Sequence, residues 1–412
     1  MNTEVSVWQN RTDRWVAVLG SAIPVAFVLG VVVYEFIVGL TGLVWLLGRL
    51  KFPARPNTIY QNLLFWPILG WFISVMLSRV VNGGTAFQFV HDFAFIRFPL
   101  FLIAMLEVSG RIPVHRYLLR GLFIGIAYAG LNLLCAHLVG YDLIGKPLAR
   151  YLGKLNEGAR IGALCTYAAP FLLIWGVIGP YQDQRKRFGV ILFGFIALLL
   201  IISSRVRTAL MAATIGVAGG VLSHLVIRKR LKLLGVLALL CVAGLGAWGV
   251  VRLQPSLGSI YDRVYFWQVS WKVWLHNPIF GVGISSFNEV YRQIAESGMV
   301  PAFTAPNGIV YHSVNPRHAH NLFLQLMACN GLLGLTAFSW VFLNAIRIIR
   351  CHLDSWPAGL SSWPFVCIGI GLTGWNIYDP FYTTLTFYFL TFIAISAGNA
   401  GDGRTAAQSR SA

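Results

Sequence analysis

Long uncharged runs separated by short polar turns repeat along almost the whole chain, and one long polar segment interrupts them. A helix needs about 20 apolar residues to cross a hydrocarbon core of about 30 Å. Runs of that kind predict twelve spans. They lie near Trp15–Leu29, Val31–Leu50, Gln61–Val80, Phe93–Leu106, Gly121–Val139, Ile161–Ile178, Gly189–Ser203, Thr208–Ile227, Leu231–Val251, Asn321–Ala345, Leu360–Ile377 and Phe381–Ala397. Dropping the Phe93–Leu106 run, which contains Arg97, would leave eleven and put the chain ends on opposite sides. The pattern divides the chain into spans with short loops over 1–250, a large loop over 251–320, three further spans over 321–398 and a polar tail over 399–412, expected to be disordered.

The loops alternate in charge. Arg49, Lys51 and Arg55 fall in one connection; Arg111, Arg116 and Arg120 in another. Arg185 to Arg187, Arg228 to Lys232, and Arg347 with Arg350 complete the series. Every second loop is basic, the signature of the cytoplasmic side. Both termini are therefore expected inside, and the polar segment Val251–Arg317 outside.

Within that segment two stretches have helical periodicity. Ile260–His276 carries Ile260, Val264, Trp267, Trp271 and Trp274 along one stripe; Ser285–Glu296 carries Phe287, Val290, Tyr291 and Ile294. Such faces either lie in the membrane interface or pack on the spans beneath. Pro301–Asn315 is punctuated by Pro and Gly and reads as irregular.

Composition agrees with this picture. Of 412 residues, 57% are hydrophobic and 11% charged, against about 25% charged in soluble domains. The net charge of +18 suits anionic head groups and phosphate-bearing ligands; without a basic soluble domain, nucleic acid is not an expected partner. Cys135, Cys165, Cys241, Cys329, Cys351 and Cys367 are scattered, with no CxxC, and read as packing residues. No signal peptide is expected.

Because basic residues favour the inside, those facing out are informative. Arg160 precedes one span, Arg205 and Arg207 share the tight turn Ser203–Thr208, and Arg263 follows Asp262 at the start of the first amphipathic helix. Forked guanidinium donors match phosphate oxygens, although each taken singly also suits a lipid head group. Arg97, inside an apolar run, is an intramembrane ion and so a functional candidate. His320 sits at the start of the tenth span, where an imidazole with a reference pKa of about 6.5 can take a proton from a hydroxyl; a cap or packing role is the alternative. His318 is a possible partner of His320 or a surface residue. Asp379 either orients a functional group or caps the last span. No DxD, Walker A or HExxH pattern occurs, so neither metal nor nucleotide cofactor is expected, and arginine would stabilise the leaving group.

His320-Asn321, nine residues, then Gly331-Leu332-Leu333-Gly334 resembles the histidine signature of bacterial O-antigen ligases of the WaaL type. Ser203-Ser204-Arg205, Arg263 with Trp267 and Trp271, and Asn277-Pro278-Ile279-Phe280-Gly281-Val282-Gly283 resemble the wider family of ligases, O-antigen polymerases and pilin oligosaccharyltransferases. The resemblance implies an all-α, GT-C-like membrane bundle with a large periplasmic loop. It implies inverting, metal-independent transfer of O-antigen from undecaprenyl pyrophosphate to lipid A-core, at the periplasmic face of the bacterial inner membrane. His320 would activate the acceptor hydroxyl, with His318 and Asn321 in support. Arg205 and Arg263 would bind pyrophosphate, joined by Arg160 and Arg207, and Asp379 matches an acidic residue near the last span. An O-antigen polymerase is the near alternative; a membrane permease without covalent chemistry is the distant one.

Overall fold

The computed structural model describes residues 2–51, 60–145, 147, 156–181, 183–228, 244, 257–304, 308, 310–313, 318–353, 356–374 and 376–408. Fourteen α-helices carry them: α1 Asn2–Leu29, α2 Val31–Lys51, α3 Phe65–Asn82, α4 Ala86–Phe93, α5 Arg97–Ser109, α6 Val114–Val139 and α7 Asn156–Ile178, then α8 Gln184–Ser204, α9 Arg207–Arg228, α10 Leu257–His276, α11 Phe287–Glu296, α12 Leu322–Cys351, α13 Trp363–Thr373 and α14 Pro380–Gln408. The fold is an all-helical, polytopic membrane bundle. Among the described residues, nine helical stretches are long and apolar enough to cross a membrane. One of them, Ala86–Ser109, joins α4 and α5 through a 3₁₀ turn at Ala94–Ile96. Helix α9 and the short apolar stretch Ala358–Leu372 occupy two further expected spans. The expected span Leu231–Val251 lies outside the described residues, apart from residue 244.

Two spans form the centre. Within the spans Gly158–Ile178 and Pro380–Ala397, 83% and 78% of the residues in the apolar window are buried, against 22% for Val31–Lys51 at the rim. Polar contacts tie α14 to its neighbours: Tyr388 Oη donates to the Leu118 carbonyl at 2.6 Å, and Tyr167 Oη lies 3.3 Å from Thr386 Oγ1. Aromatic rings fill the space between them, with Trp71 stacked on Phe387 at 5.8 Å and edge-on to Phe338 at 5.2 Å. Helix α14 continues to Gln408, through residues read from sequence as a disordered tail. No proline after Pro380 interrupts it, so helical propagation has no steric stop there.

The two ends of the bundle differ. At one, Arg111 donates to Asp13 Oδ1 at 2.8 Å and to Glu107 Oε1 at 3.0 Å; Glu107 also accepts from Trp45 Nε1 and pairs with Arg49. Two of the basic loops thus meet. At the other end, Gly30 faces Arg160, Gly162 admits Ser204 and Val206, Gly374 lies against Thr208, and Gly371 lies against Leu322.

Helix α12 holds the main departure from regular structure. Gly331 has φ 63° and ψ −160°, which breaks the helix into Leu322–Asn330 and a longer second part. The segment 278–283 enters this break. Val282 N donates to the Ala328 carbonyl at 2.9 Å and Gly283 N to that of Cys329 at 2.8 Å. In return, Leu332 N donates to the Pro278 carbonyl at 2.9 Å and Leu333 N to that of Ile279 at 3.2 Å. Groups freed by the break are therefore satisfied by inserted backbone, as non-helical structure inside an apolar bundle requires. The Asn-Pro-Ile-Phe-Gly-Val-Gly phrase and Gly331 are two halves of one splice.

A buried ion pair holds the splice in place. Arg79 Nε donates to Asp92 Oδ2 at 2.8 Å, both side chains being almost wholly buried. Arg79 also donates to Ser285 Oγ at 2.7 Å and Ser286 Oγ at 3.1 Å, while Ser285 N donates to Asp92 Oδ1 at 3.0 Å.

Candidate functional site

The first half of α12 begins at Asn321, whose side chain accepts from Phe323 N at 3.0 Å and Leu324 N at 3.1 Å. Asn321 is therefore the cap, which leaves the His320 imidazole for another role. Just upstream, Ala319 N donates to Gln325 Oε1 at 2.7 Å and fixes the chain before the helix. His320 adopts φ 50°, and Arg205, ending α8, adopts φ 54°. Among the described residues these two alone, glycine aside, have positive φ. Left-handed backbone at a non-glycine residue costs free energy and clusters at functional sites.

The His320 ring stacks on Phe266 of α10, 5.3 Å between centroids and 18° between planes, and lies 4.1 Å from the His318 ring. Phe266 follows Arg263 by three residues, so it projects from the same side of α10. Burial, with His318 and then Arg263 nearby, pushes the His320 imidazole down to about 3. The ring is thus neutral at physiological pH, with an unprotonated nitrogen whose proton affinity is low while Arg263 carries no anion. Arg263 is half-buried. Burial first, and the Arg207 charge second, hold its pKa below the usual guanidinium value. A cation destabilised in both ways is relieved by a bound anion. Arg205 and Arg207 are exposed on either side of Val206, at the mouth of the α8–α9 turn.

A second group of charges surrounds the α1–α2 turn. Tyr34 is buried within electrostatic reach of Asp379, Glu35, Arg160 and Arg97. Arg97 reaches Glu35 at 3.6 Å, donates to the Ala94 carbonyl at 2.8 Å and lies 4.6 Å over the Phe98 ring. Arg160 is buried at the start of α7 and close to Gly30. A Cβ on Gly162 would lie 2.9 Å from Ser204 Oγ, so the chain just beyond Arg160 touches the turn carrying Arg205. Asp379 caps α14, its Oδ1 accepting from Phe381 N at 3.0 Å.

The expected residues therefore fall into two groups at one end of the bundle. His318, His320, Arg263 and Arg207 form the first. Arg160, Arg97 and Asp379 form the second, and Arg205 stands on the turn between. The sequence reading did not single out Tyr34, Glu35, Phe266 or the Arg79–Asp92 pair. Glu35 had a signal, being the sole acid in a long apolar run, the criterion applied to Arg97. Phe266 had none, because an aromatic in an apolar helix gives no sign of what it stacks on.

The two amphipathic faces behave differently. In α11, Phe287, Tyr291 and Ile294 are buried, which is the packing outcome. In α10 the buried stripe is Tyr265, Val269 and Val273, so the tryptophan stripe does not take the packing alternative. Trp271 stays 45% exposed and, with Trp267, lines a cleft of about 430 Å³.

A family model described as O-antigen ligase matches residues 192–339. The matched stretch includes the α8–α9 turn, α10, the cleft, the splice and His318–Asn321; Arg97, Arg160 and Asp379 lie outside it. No curated protein matches the chain. On its apolar helices the chain is a multi-pass membrane protein, and over residues 192–339 it is similar to the O-antigen ligase family.

Proposed function

We propose that the protein is the ligase of this family, transferring O-antigen from undecaprenyl pyrophosphate to lipid A-core at the periplasmic face of the inner membrane, with both termini cytoplasmic. The observation that carries this reading is the neutral His320 imidazole, held by Phe266 beside Arg263, with Arg207 behind it. The arrangement sets a base next to an anion cradle.

In this mechanism an acceptor sugar hydroxyl gives its proton to His320 while its oxygen attacks the anomeric carbon of the donor. The new glycosidic bond forms on the face opposite the leaving group, which inverts the carbon. The bond from that carbon to the pyrophosphate oxygen breaks, and the electron pair leaves with undecaprenyl pyrophosphate. Arg205, Arg207 and Arg263, with Arg160 in support, meet the charge growing on that oxygen. Positioning and charge neutralisation suffice, because pyrophosphate is already a good leaving group.

A consequence follows for the order of events. Arg263 is one cause of the low proton affinity of His320. A dianion bound at Arg263 cancels that influence and raises the affinity for a proton, so donor binding strengthens the base. The test is reconstitution of purified protein with lipid-linked O-antigen and lipid A-core. Core lipid bearing polymer supports the ligase. Polymer growing on the lipid carrier, with core untouched, would identify a polymerase instead, and no glycosidic product from either acceptor would remove the enzyme assignment.

A further inference from the structure

The cleft of about 430 Å³ on α10 has no part in the chemistry above. Trp267, Gln268, Trp271 and Lys272 line it from α10, Met299 from the segment after α11, and Leu324 from the first turn of α12. Trp267 with Trp271, and Gln268 with Lys272, are each four residues apart, so two adjacent stripes of one helix face it. One stripe offers flat indoles and the other an amide and an amine. Trp271, Gln268, Lys272 and Met299 are exposed. The Trp267 indole Nε1 is buried with no hydrogen-bond partner among the described residues, an unmet donor at the cleft wall. Phe266, which stacks on His320, immediately precedes Trp267, and Leu324 lies four residues after His320. The cleft and the imidazole thus draw on adjoining residues of α10 and of the start of α12.

The lining distinguishes between occupants. A lipid tail calls for a wholly apolar groove running down the spans. Here all the lining residues but Leu324 come from the segment between α9 and α12, and polar groups alternate with the rings. Apolar ring faces with a few placed donors suit a ligand that has C–H faces and hydroxyl edges. We propose that this cleft binds sugar rings of the acceptor glycan and delivers the adjoining hydroxyl to His320. The assignment rests on the transferase reading of the His320 site.

Full-length protein in detergent is titrated with lipid-free core oligosaccharide, with lipid-free O-antigen repeat oligosaccharide, and with sugar-free lipid vesicles, reading tryptophan fluorescence. Transfer kinetics are measured in parallel for W271A and K272A. Core oligosaccharide is expected to quench fluorescence, vesicles are not, and a Trp271→Phe variant is expected to shift the response. One lost ring stack converts to a rise of up to about tenfold in acceptor KM, with donor KM held within about twofold. Should W271A fold poorly, K272A, whose side chain is exposed, carries the same test with a smaller KM rise. Core transfer with unchanged acceptor KM in both variants overturns the cleft and leaves the ligase reading intact. Selective quenching by the repeat oligosaccharide, with the KM effect appearing in polymer growth, keeps the cleft and overturns the ligase reading. A rise confined to donor KM, or equal quenching by sugar-free vesicles, overturns the acceptor assignment.

Discussion

Replacing Gly331 by alanine tests whether the break in α12 is an essential part of the fold. At φ 63° and ψ −160° the residue occupies a region that is essentially closed to side chains, at a cost of roughly 1–3 kcal/mol. A Cβ there would lie 2.2 Å from the Ile279 carbonyl oxygen and 2.3 Å from its carbon. That is backbone, which yields less easily than a flexible side chain, and overpacking of this kind costs about 1–3 kcal/mol more. Moving residues 278–280 aside also weakens the bonds that Leu332 and Leu333 donate to Pro278 and Ile279, each contributing about 0.5–1.5 kcal/mol net. The expected loss is therefore roughly 3–9 kcal/mol, depending on how far the two bonds are lost. Thermal unfolding in detergent can be followed with a thiol-reactive fluorophore, because Cys165, Cys329 and Cys367 are buried; exposed Cys351 supplies the starting baseline. At roughly 2 °C per kcal/mol for a long chain, the midpoint falls by at least about 5 °C. G39A is the control, since a Cβ there meets nothing within 4 Å. A G331A protein that melts within about 1 °C of the parent and keeps full transfer would refute the splice as a structural requirement.

Four other outcomes are expected. H320A abolishes transfer to core lipid while leaving membrane insertion unchanged, as read by product gels and by labelling of Cys351; near-normal turnover would reduce His320 to a packing residue. Arg263→Ala and Arg205→Ala raise the donor KM by tenfold or more while the melting midpoint stays near the parent's, and unaltered donor kinetics would end their role as pyrophosphate ligands. Between pH 6.5 and about 3 the unfolded chain binds more protons at position 320 than the folded one does, so stability falls as pH drops through that window; His320→Gln reduces the slope, and the acid limb of kcat lies above that of kcat/KM if donor binding strengthens the base. Asp92→Ala leaves the Arg79 charge buried and unpaired, costing about 3–5 kcal/mol, whereas Asp92→Leu with Arg79→Met recovers much of it; equal loss in single and double variants, by thermal unfolding, would contradict this.

The alternation of apolar runs and basic loops was enough to read a many-span membrane protein, because each span must satisfy its own backbone and display apolar side chains whatever surrounds it. The Gln61–Val80 run became α3 and the Ile260–His276 periodicity became α10, with ends displaced by a few residues. The candidate residues stood out for a related reason. Arginine in a loop expected outside runs against the charge bias, and a histidine at a helix start is conspicuous in so apolar a chain.

What the sequence could not carry was anything set by contact between distant segments. The tryptophan stripe of α10 left open whether that face lies at the interface or packs on the spans; Trp271 stays exposed while Tyr265, Val269 and Val273 are buried, a choice that only packing makes. The Asn277–Gly283 phrase entered only as part of a family resemblance. Its amides and carbonyls in fact complete the hydrogen bonds of a helix about fifty residues further on, a pairing with no periodicity to betray it. Likewise Arg79 and Asp92 are too far apart to be a helical pair, and only their joint burial makes them one. Sequence thus determined that the chain crosses a membrane many times and which side chains are candidates for chemistry, through transfer free energies that act residue by residue. Tertiary structure alone decided that His320 stacks on Phe266 within the field of Arg263, because that depends on how a broken helix is held and not on the composition of either half.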